Sequence, residues 1–296
     1  MALTLAEAAK LSNDVLLKGV IETIVQESPV LQVLPFIEVV GNGLTYNQEN
    51  AAPAAGFFDV GDTWAESTPT FTQVTASLKI LGGDADIDNY LKATRSNLQD
   101  LEAAVVQLKA KAVRDKFENT FVNGDTASDA KSFDGIDKLA AAGQTVSMGT
   151  NGAALTLDKL DEVIDKVKPG KPAMLLMSRR SRRKLTALSR ATASGLIVSD
   201  RNQFGQMVDY YDGIPIGVED HVADNKTVGT SADCSTVYAV QFGEGAVAGL
   251  SAPGGLTVER VGSLETKDAT RMRVKWYVSL AVFNALKLAK LTGVRD

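Results

Sequence analysis

The chain has 296 residues, of which 45% are hydrophobic and 23% charged, and its formal net charge is -5. This composition is typical of a soluble globular protein with one large domain or two smaller ones, and the acidic balance gives no reason to expect a polyanion as a general partner. A single cysteine excludes an internal disulfide framework. We expect neither secretion nor a membrane span, because the first residues lack a basic segment before an apolar one and no apolar segment approaches roughly 20 residues.

The N-terminal segment is predicted to form an amphipathic helix over residues 4–26. A capping box begins it, apolar residues recur near helical spacing, and Pro29 ends it. The extended segment 29–36 follows. A terminal helix on an extended strap is easily displaced from its own domain, so Leu16 and Ile24 on its apolar side are expected to contact a neighbouring subunit.

Residues 41–88 form a long excursion. Alternating polarity predicts strands at 44–50 and 71–81. The connection between them carries three aromatic residues outside any core pattern: Phe57, Phe58 and Trp64. Connections longer than about 12–15 residues are uncommon within compact domains. The sequence therefore predicts a protruding two-stranded arm whose aromatic tip packs on another subunit.

The clearest helix is predicted from about Leu98 to Val122, with an S-x-x-Q cap before it and Gly124 after it. At 1.5 Å per residue it would span roughly 37 Å. One apolar stripe is expected along it, formed by Leu98, Leu101, Val105, Leu108, Ala112, Phe117 and Phe121.

An α/β region follows this helix. Two capped helices are predicted at 156–167 and from 179 to about 193, on either side of a buried strand at 173–177. A loop is expected at 194–206. The remaining predicted strands lie at 207–211, 214–218, 236–242, 256–261 and 271–282, with 231–233 as a separator. A helical end is one interpretation of the last residues.

Three acidic residues alternate at Asp84, Asp86 and Asp88, like the start of a calcium loop. The sixth position is Asn89 instead of glycine and the twelfth is Arg95 instead of glutamate, so calcium binding is disfavoured. Alternation instead places the three carboxylates on one face of a strand. The sequence predicts a solvated or partner-facing acidic edge.

Five cations follow Ser178 on the second of the two α/β helices. Arg179, Arg182 and Arg183 are candidate intersubunit contacts, through acidic groups on a neighbour. Phosphate neutralisation by the same cations is a second interpretation, disfavoured by the acidic balance of the chain.

Residue types suited to catalysis or metal binding are scarce. His221 is the only histidine and Cys234 the only cysteine, so neither a two-histidine metal site nor a Cys/His cluster is possible. No G-x-S-x-G motif accompanies His221, which is expected at the surface near a strand end. The glycine-rich turn 243–249 precedes a segment that cannot start a helix, so no dinucleotide site is expected. The sequence predicts no catalytic residue, no metal and no cofactor.

The order of these parts resembles the major capsid proteins of tailed bacteriophages, whose shell fold is named after the phage Hong Kong 97. Four stretches add weight to the resemblance, which covers nearly the whole chain. They are Ser28 to Phe36, Phe133 to Ile136, Met177 to Leu185, and Tyr211 to Ile216.

The resemblance implies an α+β fold of the Hong Kong 97 type with four parts. These are an N-terminal arm at 1–40, an extended loop (E-loop) at 41–88, a peripheral domain at 89–132 and 251–296 with a spine helix at 98–122, and an axial domain at 133–250. It also implies a structural role without enzymatic activity. Subunits would assemble into the hexamers and pentamers of an icosahedral head that encloses double-stranded DNA by non-specific contact, with no membrane involved.

The implied location is the virion, assembled in the cytoplasm of a bacterial host. Scaffolding, portal or decoration proteins are possible partners, and this sequence either relies on a separate scaffold or is already the mature form. Two other interpretations stay open. One is an encapsulin-like shell of a cellular nanocompartment, which shares the fold but encloses cargo enzymes. The other, of a different class, is a nucleic-acid-binding protein that uses the basic helix at 179–184.

One departure from some members of that family concerns covalent crosslinking through a lysine in the extended loop. Lys79 is the only lysine or arginine between Gly41 and Tyr90, and it lies at the base of the predicted return strand. No crosslink from the loop tip is therefore expected, and the strength of a shell should come from noncovalent contacts.

Overall fold

The computed structural model describes residues 28–51, 53–64, 66–89, 98–191, 197–201 and 207–295. The predicted helix at 4–26, with Leu16 and Ile24, lies outside the described residues, as does the predicted cap before Leu98. In chain order the elements are β1 (Phe36–Glu38), β2 (Gly43–Ala51), β3 (Thr70–Ser77), β4 (Lys79–Asp88), α1 (Leu98–Asn123), α2 (Ile136–Leu139), β5 (Thr145–Ser147), β6 (Ala153–Ala154), α3 (Leu157–Lys166), β7 (Met174–Met177), α4 (Arg179–Ala191), β8 (Ile197–Arg201), β9 (Met207–Tyr211), β10 (Ile214–Val218), β11 (Lys226–Val228), β12 (Ser231–Val240), β13 (Val247–Ser251), β14 (Thr257–Ser263), β15 (Ala269–Val282) and β16 (Leu288–Arg295).

The strands form three sheets. A five-stranded sheet has the order β1-β13-β15-β14, with β4 also paired to β15. A nine-stranded sheet has the order β5-β16-β12-β7-β10-β9-β8, with β11 on β12 and β6 on β16. The third sheet is the antiparallel pair β2-β3. This mixture of helices and sheets is the α+β architecture expected from the sequence.

Two hydrophobic cores lie on opposite faces of the nine-stranded sheet. Successive side chains of a strand point to opposite faces. In β7, Met174 and Leu176 join the core that α1 shares with the five-stranded sheet. Leu175 and Met177 join the core covered by α3 and α4. The uninterrupted apolar run of β7 is thus explained by burial on both faces.

Helix α1 packs on the five-stranded sheet through aromatic contacts. The ring of Phe117 lies 5.0 Å from that of Trp276 on β15 and 5.9 Å from that of Phe133. The stripe predicted from the sequence is confirmed at Phe117 and Phe121 but wrong at Leu108, which is exposed. Ala112 of the predicted stripe is exposed as well. The buried apolar residues of α1 whose side chains are described are Val106, Ala110, Val113, Phe117, Phe121 and Val122.

The turn after α1 depends on glycines that allow two backbones to meet. The Gly135 N–H donates to the Gly124 carbonyl oxygen at 2.9 Å. A Cβ on Gly135 would lie 2.6 Å from the Thr120 carbonyl oxygen, so no larger residue fits there without movement. Asp134 accepts from the Thr126 N–H at 2.7 Å. The Phe133-to-Ile136 motif therefore closes the end of the long helix.

Three sequence-based expectations about strand positions are wrong. The expected loop at 194–206 contains β8, which pairs antiparallel with β9. The expected separator at 231–233 is the start of β12, which folds back on β11. The strand expected at 71–81 is split at Leu78 into β3 and β4, which belong to different sheets. In each case the partner strand determines the result, and local pattern does not reveal that partner.

The chain ends in a strand rather than in a helix. Residues 288–295 form β16, which runs antiparallel to β12 and parallel to β5. Leu288, Ala289 and Leu291 are fully buried there. β16 is therefore an inner strand of the nine-stranded sheet and not part of the five-stranded sheet on which the long helix packs.

Candidate assembly surfaces

The base of the arm is anchored on the body of the subunit. Strands β2 and β3 pair in register from Gly43 with Ser77 to Glu49 with Phe71. The ring of Tyr46 lies 4.7 Å from that of Phe283, and the Gln48 side-chain amide donates to the Val282 carbonyl oxygen. The base of the predicted arm is thus packed against its own subunit.

The tip of the arm presents apolar side chains to solvent. The rings of Phe58 and Trp64 stack on one another with centroids 4.5 Å apart. Trp64 is nevertheless 75% exposed, and Phe57 and Val60 are fully exposed. Soluble monomers rarely leave clustered aromatic surface uncovered. The structure thus places two of the three predicted contact aromatics together, with Phe57 separate, on a surface suited to binding another protein.

The solvated or partner-facing acidic edge expected at β4 is wrong for Asp84 and Asp86. Arg273 on β15 donates to both oxygens of Asp84, from Nε at 2.6 Å and Nη2 at 2.8 Å. Arg271 binds Asp86 in the same way, at 2.6 and 2.9 Å. These hydrogen bonds hold the pKa of both carboxyls below its usual range. The two carboxylates therefore pair within the subunit rather than with solvent or a partner.

A sequence signal for these pairs was present. Arg271 and Arg273 alternate on β15 with the same period of two as the two aspartates on β4. When two such strands pair, the opposite charges lie across from one another on the same face of the sheet and attract.

The basic helix α4 is also largely paired within the chain. Arg179 binds Asp220 through two hydrogen bonds, the longer of which is 2.8 Å. Arg182 lies 3.4 Å from the Asp209 carboxylate. Arg183 lies exposed on the same helix. The structure thus brings Arg179 and Arg182 to carboxylates of their own subunit, which reduces the positive charge available to phosphates or to a neighbour.

His221 lies against α1 rather than at the free surface, which corrects the sequence-based expectation. Its side chain is 20% exposed, and its Nε2 lies 3.2 Å from Asp115 Oδ1. Candidate ligand atoms of Glu118, Glu219 and His221 lie within 4.8 Å of one another. Among the described residues, this is the one group of three or more His, Cys, Asp or Glu side chains close enough to hold a metal ion. Burial, with a further contribution from the Glu118 carboxylate, raises the pKa of Glu219 to about 7.

Lys79 is bound at the base of the arm, where its Nζ donates to the Ala130 carbonyl oxygen at 2.8 Å. Among the described residues, no helix combines the length and apolar character needed to cross a membrane.

Residues 11–293 match the model of the phage capsid family. The chain belongs to the phage capsid family. This family is structural, and its members build capsid shells, so the chain is a major capsid shell protein and a virion component. No curated protein matches the sequence.

Solved structures share the fold of this capsid protein. The encapsulin SrpI of Synechococcus elongatus PCC 7942, solved as a holo complex, has a TM-score of 0.72 at 20% identity, covering 90% of this chain and 86% of that one. The capsid of a native GTA particle has a TM-score of 0.62 at 15% identity, with 90% of each chain covered. A structure from Mycobacterium phage Adephagia has a TM-score of 0.61 at 14% identity, covering 91% of this chain and 90% of that one. The expected Hong Kong 97 type of fold is confirmed.

Proposed function

We propose that this capsid protein assembles into hexamers and pentamers of an icosahedral head through its β2-β3 arm, whose aromatic tip lies on an adjacent subunit. The exposed aromatic side chains of the tip, which are the Phe58–Trp64 pair and Phe57, carry the proposal. Aromatic residues are the commonest anchors of protein interfaces. An arm attached firmly at its base and apolar at its tip is suited to a heterologous contact that closes into a ring.

The proposed division of the subunit follows its sheets. The five-stranded sheet with α1 forms a peripheral domain. The nine-stranded sheet with α3 and α4 forms an axial domain, which includes β16 in addition to the residues at 133–250. Residues 1–40 serve as an N-terminal arm, with Leu16 and Ile24 contacting a neighbour.

The experiment replaces residues 52–68 with an Asn-Gly turn, which closes a two-stranded hairpin without a long connection. We expect a folded subunit that no longer forms closed shells, judged by circular dichroism, light scattering and negative-stain electron microscopy. Wild-type shells from this variant would contradict the proposal.

Double-stranded DNA is the proposed content, held by non-specific contact, with assembly in the cytoplasm of the bacterial host. Scaffolding, portal and decoration proteins are proposed partners, and no cofactor or catalytic activity is proposed. Purified particles treated with nuclease and then opened should release protected DNA of defined length.

An encapsulin-like nanocompartment is the second candidate, and the similarity to the SrpI encapsulin, with a TM-score of 0.72, favours it. Particles that co-purify with one stoichiometric cargo protein and contain no protected DNA would replace the phage-head proposal. A nucleic-acid-binding protein that uses α4 is disfavoured because Arg179 and Arg182 contact carboxylates of their own chain.

A further inference from the structure

We infer that Glu118, Glu219 and His221 bind one divalent transition-metal ion of the Zn²⁺ or Mn²⁺ class, where α1 meets the segment after β10. The inference does not depend on the proposed mode of assembly. Glu118 comes from the buried side of α1, and the other two residues follow β10 directly. Their candidate ligand atoms already lie within 4.8 Å of one another.

Each glutamate has one oxygen held by the protein and one left open. The His221 backbone N–H donates to Glu219 Oε1 at 3.2 Å. Arg114 Nε lies 3.7 Å from Glu118 Oε2, and the Ser28 hydroxyl hydrogen-bonds to the Glu118 carboxyl. The other two oxygens, Glu118 Oε1 and Glu219 Oε2, are buried and have no hydrogen-bond partner among the described residues.

Open oxygens of this kind are unusual at such depth. Glu118 is only 6% exposed and Glu219 only 3%. A buried carboxylate oxygen without a partner costs free energy, and such groups in native proteins are usually satisfied by an ion or a water molecule. The two open oxygens and one imidazole nitrogen form a set of three donors that a single cation can satisfy together.

The local charge also favours a divalent cation. Glu118, Glu219 and Asp115 contribute three carboxylates, and Arg114 contributes one positive charge. Asp220 lies nearby but is paired with Arg179. When the three carboxylates are ionised, their charge exceeds that of Arg114 by two, which is the charge that a divalent ion supplies.

The donor types select the class of metal. Imidazole nitrogen with carboxylate oxygen is a common ligand set for Zn²⁺ and is compatible with Mn²⁺, whereas Mg²⁺ and Ca²⁺ prefer oxygen donors alone. Ligand atoms around a tetrahedral Zn²⁺ are about 3.5 Å apart, so small side-chain rotations would bring these three into place. Asp115, whose carboxylate contacts His221, is 65% exposed.

The experiment uses the full chain, stripped with a chelator and titrated with Zn²⁺, with metal content and thermal unfolding as readouts. We expect one ion per chain and a rise in Tm, because a ligand that binds only the folded state stabilises it. Glu219→Gln and His221→Gln should each weaken Zn²⁺ binding at least about 100-fold. Glu162→Gln, which changes an exposed carboxylate on α3, is the matched control and should bind like wild type. Mg²⁺ at equal concentration should not raise Tm.

Two results would overturn the inference. One is the absence of saturable Zn²⁺ binding to the wild-type chain. In that case a change in the pH dependence of unfolding in Glu219→Gln would show only that the carboxyl titrates. The other is unchanged binding in both ligand variants. A cooperative thermal unfolding transition in the presence of chelator shows that a variant is folded. If one of the two variants does not fold, the other still tests the inference.

Discussion

The two aromatic clusters of this subunit have opposite environments. In the body, Phe117 lies among Phe36, Phe133 and Trp276, with ring centroids 5.0 to 6.1 Å away. At the arm tip, Phe58 and Trp64 have only each other as aromatic neighbours within the described residues. The first cluster completes its contacts within one chain. The second leaves its contacts to be made by another molecule, so one residue type serves folding in one place and assembly in the other.

The largest expected effect tests the body cluster. Phe117→Ala should lower the free energy of unfolding of the unassembled subunit by about 3–5 kcal/mol, because it removes a fully buried ring. Leu108→Ala, on the exposed side of the same helix, is the control and should stay within about 0.5 kcal/mol of wild type. Chemical denaturation measures both. A similar loss in the two variants would mean that α1 packs differently.

The next effect tests the arm tip. Trp64→Ala should leave the unfolding free energy within about 0.5 kcal/mol of wild type, because this ring is mostly exposed in the subunit. It should weaken each subunit contact by about 2 kcal/mol if the ring is an interface anchor. The protein concentration needed for assembly, followed by light scattering, measures this. Leu108→Ala serves again as the control, and normal assembly of Trp64→Ala would argue against the anchor.

The dependence of thermal stability on acid pH tests the ion pairs of Asp84 and Asp86 in the body of the subunit. The pKa of Asp84 and Asp86 is lowered in the folded state, chiefly by hydrogen bonds from arginines. Their stabilisation is therefore complete above the unfolded value of about 4 and is lost as pH falls through the folded value. Asp86→Asn should flatten the fall in Tm between about pH 5 and pH 2 relative to wild type. Glu244→Gln, an exposed control, should retain the wild-type slope, and an equal slope in all three would contradict the pairing.

The smallest effect concerns Lys79. Its amine is engaged at the base of the arm, where it donates to the Ala130 carbonyl oxygen. Assembled particles boiled in detergent should therefore run as single chains on a denaturing gel, and Lys79→Arg should not change the pattern. A ladder of covalent multimers that disappears in Lys79→Arg would show that a crosslink forms after all.

The sequence predicted the elements that local pattern defines. The sequence of α1 has apolar periodicity and a glycine after its end, and the arm has alternating strands around a glycine- and alanine-rich connection, so both were expected near their observed positions. Asp84 and Asp86 were misinterpreted because their arginine partners lie almost 190 residues later. The final strand was missed because its neighbours, β5 and β12, decide its conformation.

The cluster around His221 shows the same limit in the candidate site. Glu118 and Glu219 are about 100 residues apart in sequence, and neither has an unusual neighbour. Only the docking of α1 against the segment after β10 brings them together. A lone histidine in a sequence thus gives little information until the elements that pack on it are known.

The join between β3 and β4 determines how the subunit carries mechanical load. Only Leu78 separates the arm strand β3 from β4, and β4 pairs with β15 from Lys79 with Val278 to Asp88 with Ala269. A pull on the arm is therefore passed through Leu78 directly into β4 and onto the hydrogen bonds of this ladder. Asp84 and Asp86 add two bidentate ion pairs across the same ladder. Tension between neighbouring subunits would thus reach β15, the longest of the described strands.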